Sequence, residues 1–177
     1  MAMTKPHFQG DKEGIQETDN GFIIRPKGLS IVWGNDERYW KISKDMTEEA
    51  AAELIQVSWL EVTGSVLLTP GESYKLTFKV GMATDAFGWK DIQAFLMAKV
   101  GKKGKYKWTR VKLQQDQKEK FEIPDDSQQL TIEVPRAATD TTLHFGLYEV
   151  WSGKWKGGLK IYNAIVTKTT AGTSTSS

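Results

Sequence analysis

The chain has 177 residues, no cysteine, two histidines and seven tryptophans, and its 24 Lys and Arg against 22 Asp and Glu leave a formal net charge of +2. Without cysteine there is no disulfide scaffold, thiol nucleophile or cysteine-ligated zinc, and His7 and His144 alone all but remove a histidine-rich metal site. The length suits one domain with ragged ends.

Residues 1–20 are polar, with little apolar periodicity, and read as a flexible N-terminal arm. They hold no apolar core of a secretory signal, and no later run approaches the ~20 apolar residues of a membrane span, so the sequence predicts a chain that is cytoplasmic or nuclear, or released by a route that needs no signal peptide. From Gly21 to Lys168 the dominant period is two. Phe22–Ile24, Leu29–Trp33 and Ile55–Leu68 are β-rich. Tyr74, Leu76, Phe78 and Val80 alternate with Lys75, Thr77 and Lys79. Ile92–Val100 and Tyr106–Leu113 follow, then the alternating sets Leu130, Ile132, Val134 and Leu143, Phe145, Leu147, and finally Leu159–Val166. Turn signals such as Pro26-Lys27-Gly28, Pro70-Gly71 and Ser152-Gly153 separate these runs. Many short strands at this spacing predict an all-β sandwich or barrel over 21–168. Thr47–Leu54, with an N-cap threonine, acids in the first turn and three alanines, is the one helical expectation. Residues 169–177 are low-complexity Ser/Thr and read as a disordered tail.

Nothing points to catalysis. There is no nucleophile elbow, phosphate loop or dinucleotide fingerprint, and His144 sits inside an alternating strand. Glu61 and Glu149 form a pair of carboxylates only if the fold brings them together. The stretch Lys99–Arg110 interleaves lysines with Tyr106 and Trp108, a pattern that reads first as a solvated basic hairpin and second as a surface for a phosphate backbone with stacked bases. Two further segments are rich in tryptophan beside amides and carboxylates: Trp33-Gly34-Asn35-Asp36-Glu37-Arg38-Tyr39-Trp40, and Tyr148-Glu149-Val150-Trp151-Ser152-Gly153-Lys154-Trp155. Strand parity carries Glu149 onto the buried side with Leu147, where a carboxylate needs a partner, unless it lies just past the core. Indoles pack on the C–H face of a sugar ring while carboxylates and amides bond its hydroxyls. Such a site needs no charge match, as the small net charge suggests. On this reading Trp33 stacks a pyranose, Asn35 or Asp36 and Glu149 bond hydroxyls or an acetamide N–H, and Trp89, Trp151 or Lys154 extend the groove. Trp40 divides between the core and the sugar, and Trp59 and Trp155 carry a similar core alternative.

The run Leu29–Trp40 resembles the opening of the plant phloem lectins. Ala52–Gly64, Gly71–Val80, and Phe145–Glu149 followed by Trp155–Leu159 resemble that family's later blocks, in the same order, and the short length is most similar to its small cucurbit members. The resemblance implies an antiparallel β-sandwich of jelly-roll type that binds N-acetylglucosamine oligomers such as chitin fragments without catalysis, metal or cofactor, often as a homodimer. It implies sugar-binding roles for Trp33, Trp40 and Glu149, and it places Thr142 where a second acid is sometimes invoked. It also implies residence in phloem sap, cytoplasm or nucleus, with RNA as a secondary partner.

Overall fold

The computed structural model describes residues 6–114 and 120–169. Its strands are β1 (Ile15–Thr18), β2 (Gly21–Ile24), β3 (Ser30–Ile31), β4 (Trp40–Ile42), β5 (Ala52–Leu54), β6 (Leu60–Leu67), β7 (Ser73–Phe87), β8 (Ala94–Val100), β9 (Lys107–Val111), β10 (Phe121–Ile123), β11 (Leu130–Glu133), β12 (Thr142–Glu149) and β13 (Gly157–Lys168). Five form a sheet in the order β3-β6-β12-β8-β9. In the eight-stranded sheet, β13 is central: β7 runs along one side of it and carries β10 and β11, while β2 and β5 share the other side and carry β1 and β4. All pairings are antiparallel, and the two sheets make a β-sandwich of jelly-roll type.

The two-residue period explains the packing. Leu143, Phe145 and Leu147 of β12 face inward from one sheet, and Tyr74, Leu76, Phe78 and Val80 of β7 face inward from the other; all are buried. Phe78 and Phe145 meet edge to face across the sandwich at 6.0 Å. Gly64 pairs with Phe145 in the register of β6 and β12. A Cβ there would stand 2.5 Å from Phe145 Cζ, so the glycine is what leaves room for the ring. Gly64→Val is therefore expected to cost about 1–3 kcal/mol by overpacking, measured as a fall in the denaturant midpoint at unchanged slope.

Two expectations are corrected. Residues 6–20 are not a free arm. Phe8 exchanges both backbone hydrogen bonds with Ile31, Gly10 N donates to Ser30 Oγ, Asp11 N donates to Lys27 O, and β1 pairs with β2. Residues 1–5 of that arm lie outside the described residues, as do 170–177 of the tail; Thr169 N donates to Ser73 O. The helix over Thr47–Leu54 does not form. Ala50 N closes a turn onto Thr47 O, and Ala52–Leu54 become β5 between β4 and β13. The pairing partners on both sides outweigh the modest helix propensity of three alanines. No helix among the described residues is long and apolar enough to cross a membrane.

Candidate functional site

One end of the sandwich gathers the strand ends at Ile31, Trp40, Leu54, Leu60, Phe87, Glu149 and Gly157, with their connecting loops. Trp33 follows β3. Gly34 N donates back to Ile31 O, and Trp33 sits at φ 66, a left-handed backbone that a bulky residue adopts only when its surroundings impose it. The imposition is visible. Trp33 N donates to His7 Nδ1 at 3.0 Å, and Asn35 is bound to the same segment through Asn35 Nδ2 to His7 O and Asn35 N to Pro6 O. The indole is thereby held 39% exposed. Asp36 closes the loop from the other side: its carboxylate accepts from Arg38 N and Nε, and from Arg38 Nη2 at 2.7 Å. Those hydrogen bonds hold the Asp36 carboxyl below its usual range and push the Arg38 guanidinium up. The guanidinium lies over the Tyr39 ring at 5.1 Å.

The result is a run of rings: His7 to Trp33 at 5.4 Å, Trp33 to Tyr39 at 5.8 Å, and Tyr39 to Trp155 at 6.3 Å. Residues 55–57 fix the last two. Tyr39 O accepts from Ile55 N and Gln56 N, while Val57 exchanges both backbone hydrogen bonds with Lys156. Trp155, 52% exposed, is therefore a surface ring and not the core residue that its alternative reading made it. Trp59 is exposed too, with its Nε1 donating to Glu61 Oε1.

Beneath Trp155 lies a buried ion pair. Glu149 is on the inward side, as parity requires, and its partner is Lys156 at 2.7 Å, with both side chains almost fully buried. Ser152 donates to the same carboxylate through Oγ at 2.6 Å and through its backbone N. Lys156 Nζ also donates to Ser58 O and Lys154 O. Burial pushes the Glu149 carboxyl up, but the hydrogen bonds from Lys156 and Ser152 outweigh it and leave the group below its ordinary value. Every oxygen of Glu149 is engaged inside the protein. The expectation that it bonds a sugar hydroxyl directly is corrected: it is a positioning residue that clamps the 152–156 loop.

Two predicted sugar contacts are buried. Trp40 is 2% exposed in the core. Trp89 is buried with its Nε1 donating to Gly157 O at 2.9 Å, so it supports the start of β13 from below and presents no face to a ligand. Trp151 is exposed and packs on Phe95 at 5.1 Å. Lys154 is exposed on the clamped loop, where its N donates to Ser152 Oγ. The structure thus joins Trp33 and the Asp36 loop to Tyr39 and Trp155. Sequence reasoning missed His7 and Tyr39 as supports of Trp33, and Lys156 as the partner of Glu149. Only the parity of Glu149 signalled that a cation was needed. The basic stretch Lys99–Arg110 becomes the β8–β9 hairpin at one edge of the five-stranded sheet.

The fold and this end define a jelly-roll β-sandwich that presents a surface run of aromatic rings on braced loops. Residues 19–167 match the phloem protein 2 family, and the chain belongs to it. Protein PHLOEM PROTEIN 2-LIKE A9 of Arabidopsis thaliana is 41% identical over 172 residues, covering 90% of this chain and 94% of that one. A lectin of Luffa acutangula is 35% identical over 77 residues, which are 40% of this chain and 37% of the lectin. Among solved structures, a Podospora anserina GH26-CBM35 β-(1,4)-mannanase superposes with a TM-score of 0.52 at 7% identity, over 86% of this chain and 28% of that one, a likeness of fold.

Proposed function

We propose that this chain is a non-catalytic lectin that binds oligomers of N-acetylglucosamine on the rings of Trp33, Tyr39 and Trp155. Membership of the phloem protein 2 family and the similarity to a Luffa lectin support the class. The observation that carries the site is Trp33, kept exposed at a left-handed backbone by His7 and continued by Tyr39 and Trp155. Trp33 and Trp155 are exposed with the half-buried Tyr39 ring between them, and exposed indoles suit the C–H faces of pyranoses. The Asp36–Arg38 pair beside Tyr39 offers polar groups to hydroxyls, and the Glu149–Lys156 clamp sets the position of Trp155.

Calorimetric titration with the N-acetylglucosamine trimer tests this. Binding should give heat and a change in tryptophan fluorescence, nearly indifferent to salt because no ionic partner is involved. Trp33→Ala, at an exposed position, should stay folded and weaken binding at the Trp33 site at least tenfold, about 1.4 kcal/mol. No heat from the folded wild-type protein sinks the lectin reading, and wild-type affinity with unchanged stoichiometry in Trp33→Ala moves the site elsewhere.

A further inference from the structure

The outward face of the five-stranded sheet carries a second aromatic surface, separate from Trp33. The register places Glu61, Tyr148, Phe95 and Arg110 in one row across β6, β12, β8 and β9, and Thr63, Gly146, Met97 and Trp108 in the next. Phe95 is flanked by two exposed indoles, Trp108 at 5.5 Å and Trp151 at 5.1 Å, both edge to face. A Cβ on Gly146 would lie 2.8 Å from Tyr148 Cε2, so that glycine lets the tyrosine ring lie close along the sheet. The Tyr148 phenol lies near Tyr106, which is itself exposed. Burial, with Tyr106 and Glu61 nearby, pushes the Tyr148 phenol up to about 12, so it stays neutral.

Towards the far end of the same face, a cleft of about 830 Å³ opens between the sheet and the segment that leads into β1. Tyr106 and Tyr148 line it as well, which makes the cleft continuous with the aromatic surface. Its floor is polar, with Thr63, Ser65 and His144, and His144 Nε2 is buried there with no protein partner. The size falls within the roughly 300–1,000 Å³ of ordinary ligand sites.

We infer that this face is a second glycan-binding groove, which holds an extended neutral oligosaccharide from the Trp108–Phe95–Trp151 rings into the Ser65–His144 cleft. The inference rests on the lectin reading above. The chemistry favours an uncharged polyhydroxyl chain for three reasons. The Trp108 and Trp151 rings are exposed on either side of half-buried Phe95, the cleft floor offers hydroxyls and an imidazole, and the charges around the face are mixed. Asp11, Glu17 and Glu61 stand among Lys12, Lys99 and Arg110, so no single sign dominates. A phosphate backbone would want those carboxylates gone.

The test is calorimetry with the N-acetylglucosamine trimer on the whole chain and on two variants altered only at exposed rings, Trp33→Ala and the double variant Tyr106→Ala/Trp108→Ala. Two trimers per wild-type chain are expected. Each variant should bind one, with the lost site weakened at least tenfold, and the sheet-face binding should change little between low and high salt. One trimer per chain, lost in Trp33→Ala and kept in the double variant, overturns the second groove and leaves the lectin reading standing. No binding by the wild type overturns both. If the double variant instead loses affinity for a single-stranded RNA oligonucleotide, steeply salt-dependent, while sugar stoichiometry stays unchanged, the face is a nucleic-acid surface. If it shifts the protein towards monomer in sedimentation with sugar stoichiometry unchanged, the face pairs copies of the chain. Either result overturns the glycan assignment.

Discussion

Lys156→Met is expected to destabilise the fold by about 3–5 kcal/mol, because it leaves the buried Glu149 carboxylate uncompensated. Methionine nearly matches the volume of lysine, so the cost is electrostatic and not a cavity. Glu149→Gln should cost less, since the amide oxygen still accepts from Ser152 and Lys156 Nζ keeps Ser58 O and Lys154 O. The double variant Glu149→Gln/Lys156→Met should be more stable than Lys156→Met alone, because it removes the orphaned charge. Urea titrations of the four proteins check the order. If Lys156→Met costs under 1 kcal/mol, the pair does not clamp the loop.

The pH dependence gives the same pair a sign. In the wild type the Glu149 carboxyl is lowered on folding, so its contribution is complete above the unfolded carboxylate value, about 4.3. That contribution is lost as pH falls through the lower folded value. In Lys156→Met the strongest remaining influence is burial, which raises the folded value. Its deficit should then shrink as the solution is acidified towards that value, opposite in direction to the wild type. Denaturation midpoints from pH 7 down to about pH 3 distinguish the two, because the wild-type loss falls below about pH 4.3 whereas the variant's recovery begins above it, and parallel curves would exclude Glu149 as their source. Because Lys156 also holds Ser58 and Lys154 in place, Lys156→Met should loosen Trp155 and weaken sugar binding without touching the sugar.

How much of this was legible depended on where each residue's partner lies in the chain. The core strands were readable because alternation is local: Leu143, Phe145 and Leu147 need only their own neighbours to declare a buried face. β1 was invisible because it is an edge strand with one apolar residue, Ile15, and its order comes from pairing with β2. Residues 52–54 read as helix because propensity is local and the pairing with β13 is not. The tryptophans were hardest, since an indole buries or exposes according to what lies above it. Trp89 sits in a loop and is nonetheless covered by the start of β13, while Trp59 and Trp155, read as candidates for the core, are exposed. Lys156 gave no local signal at all, because a fully buried lysine is so rare that only the demand of Glu149 points to it.

Trp40 and Trp33 should separate stability from binding. The family resemblance implies a sugar-binding role for both, but Trp40 is enclosed in the core at the start of β4, paired with Leu54. Trp40→Ala should therefore cost about 3–5 kcal/mol, the range for large-to-small changes of a buried indole, and lose binding only as the protein unfolds. Trp40→Phe is the informative variant. The Trp40 Nε1 is buried without a hydrogen-bond partner, so replacing indole by phenyl removes an unsatisfied donor. That relief offsets part of the lost packing, and the net cost should be about 1–2 kcal/mol. Trp40→Phe should then bind the N-acetylglucosamine trimer within about threefold of wild type, less than 0.7 kcal/mol. Trp33→Ala should show the reverse pattern: a stability loss of no more than about 1–2 kcal/mol, from the ring contacts to His7 and Tyr39, and affinity at the Trp33 site down at least tenfold. Thermal melts and calorimetry on the same three samples measure both axes. A folded Trp40→Phe that fails to bind would place the Trp40 indole in contact with the sugar and require the end of the sandwich to open on binding.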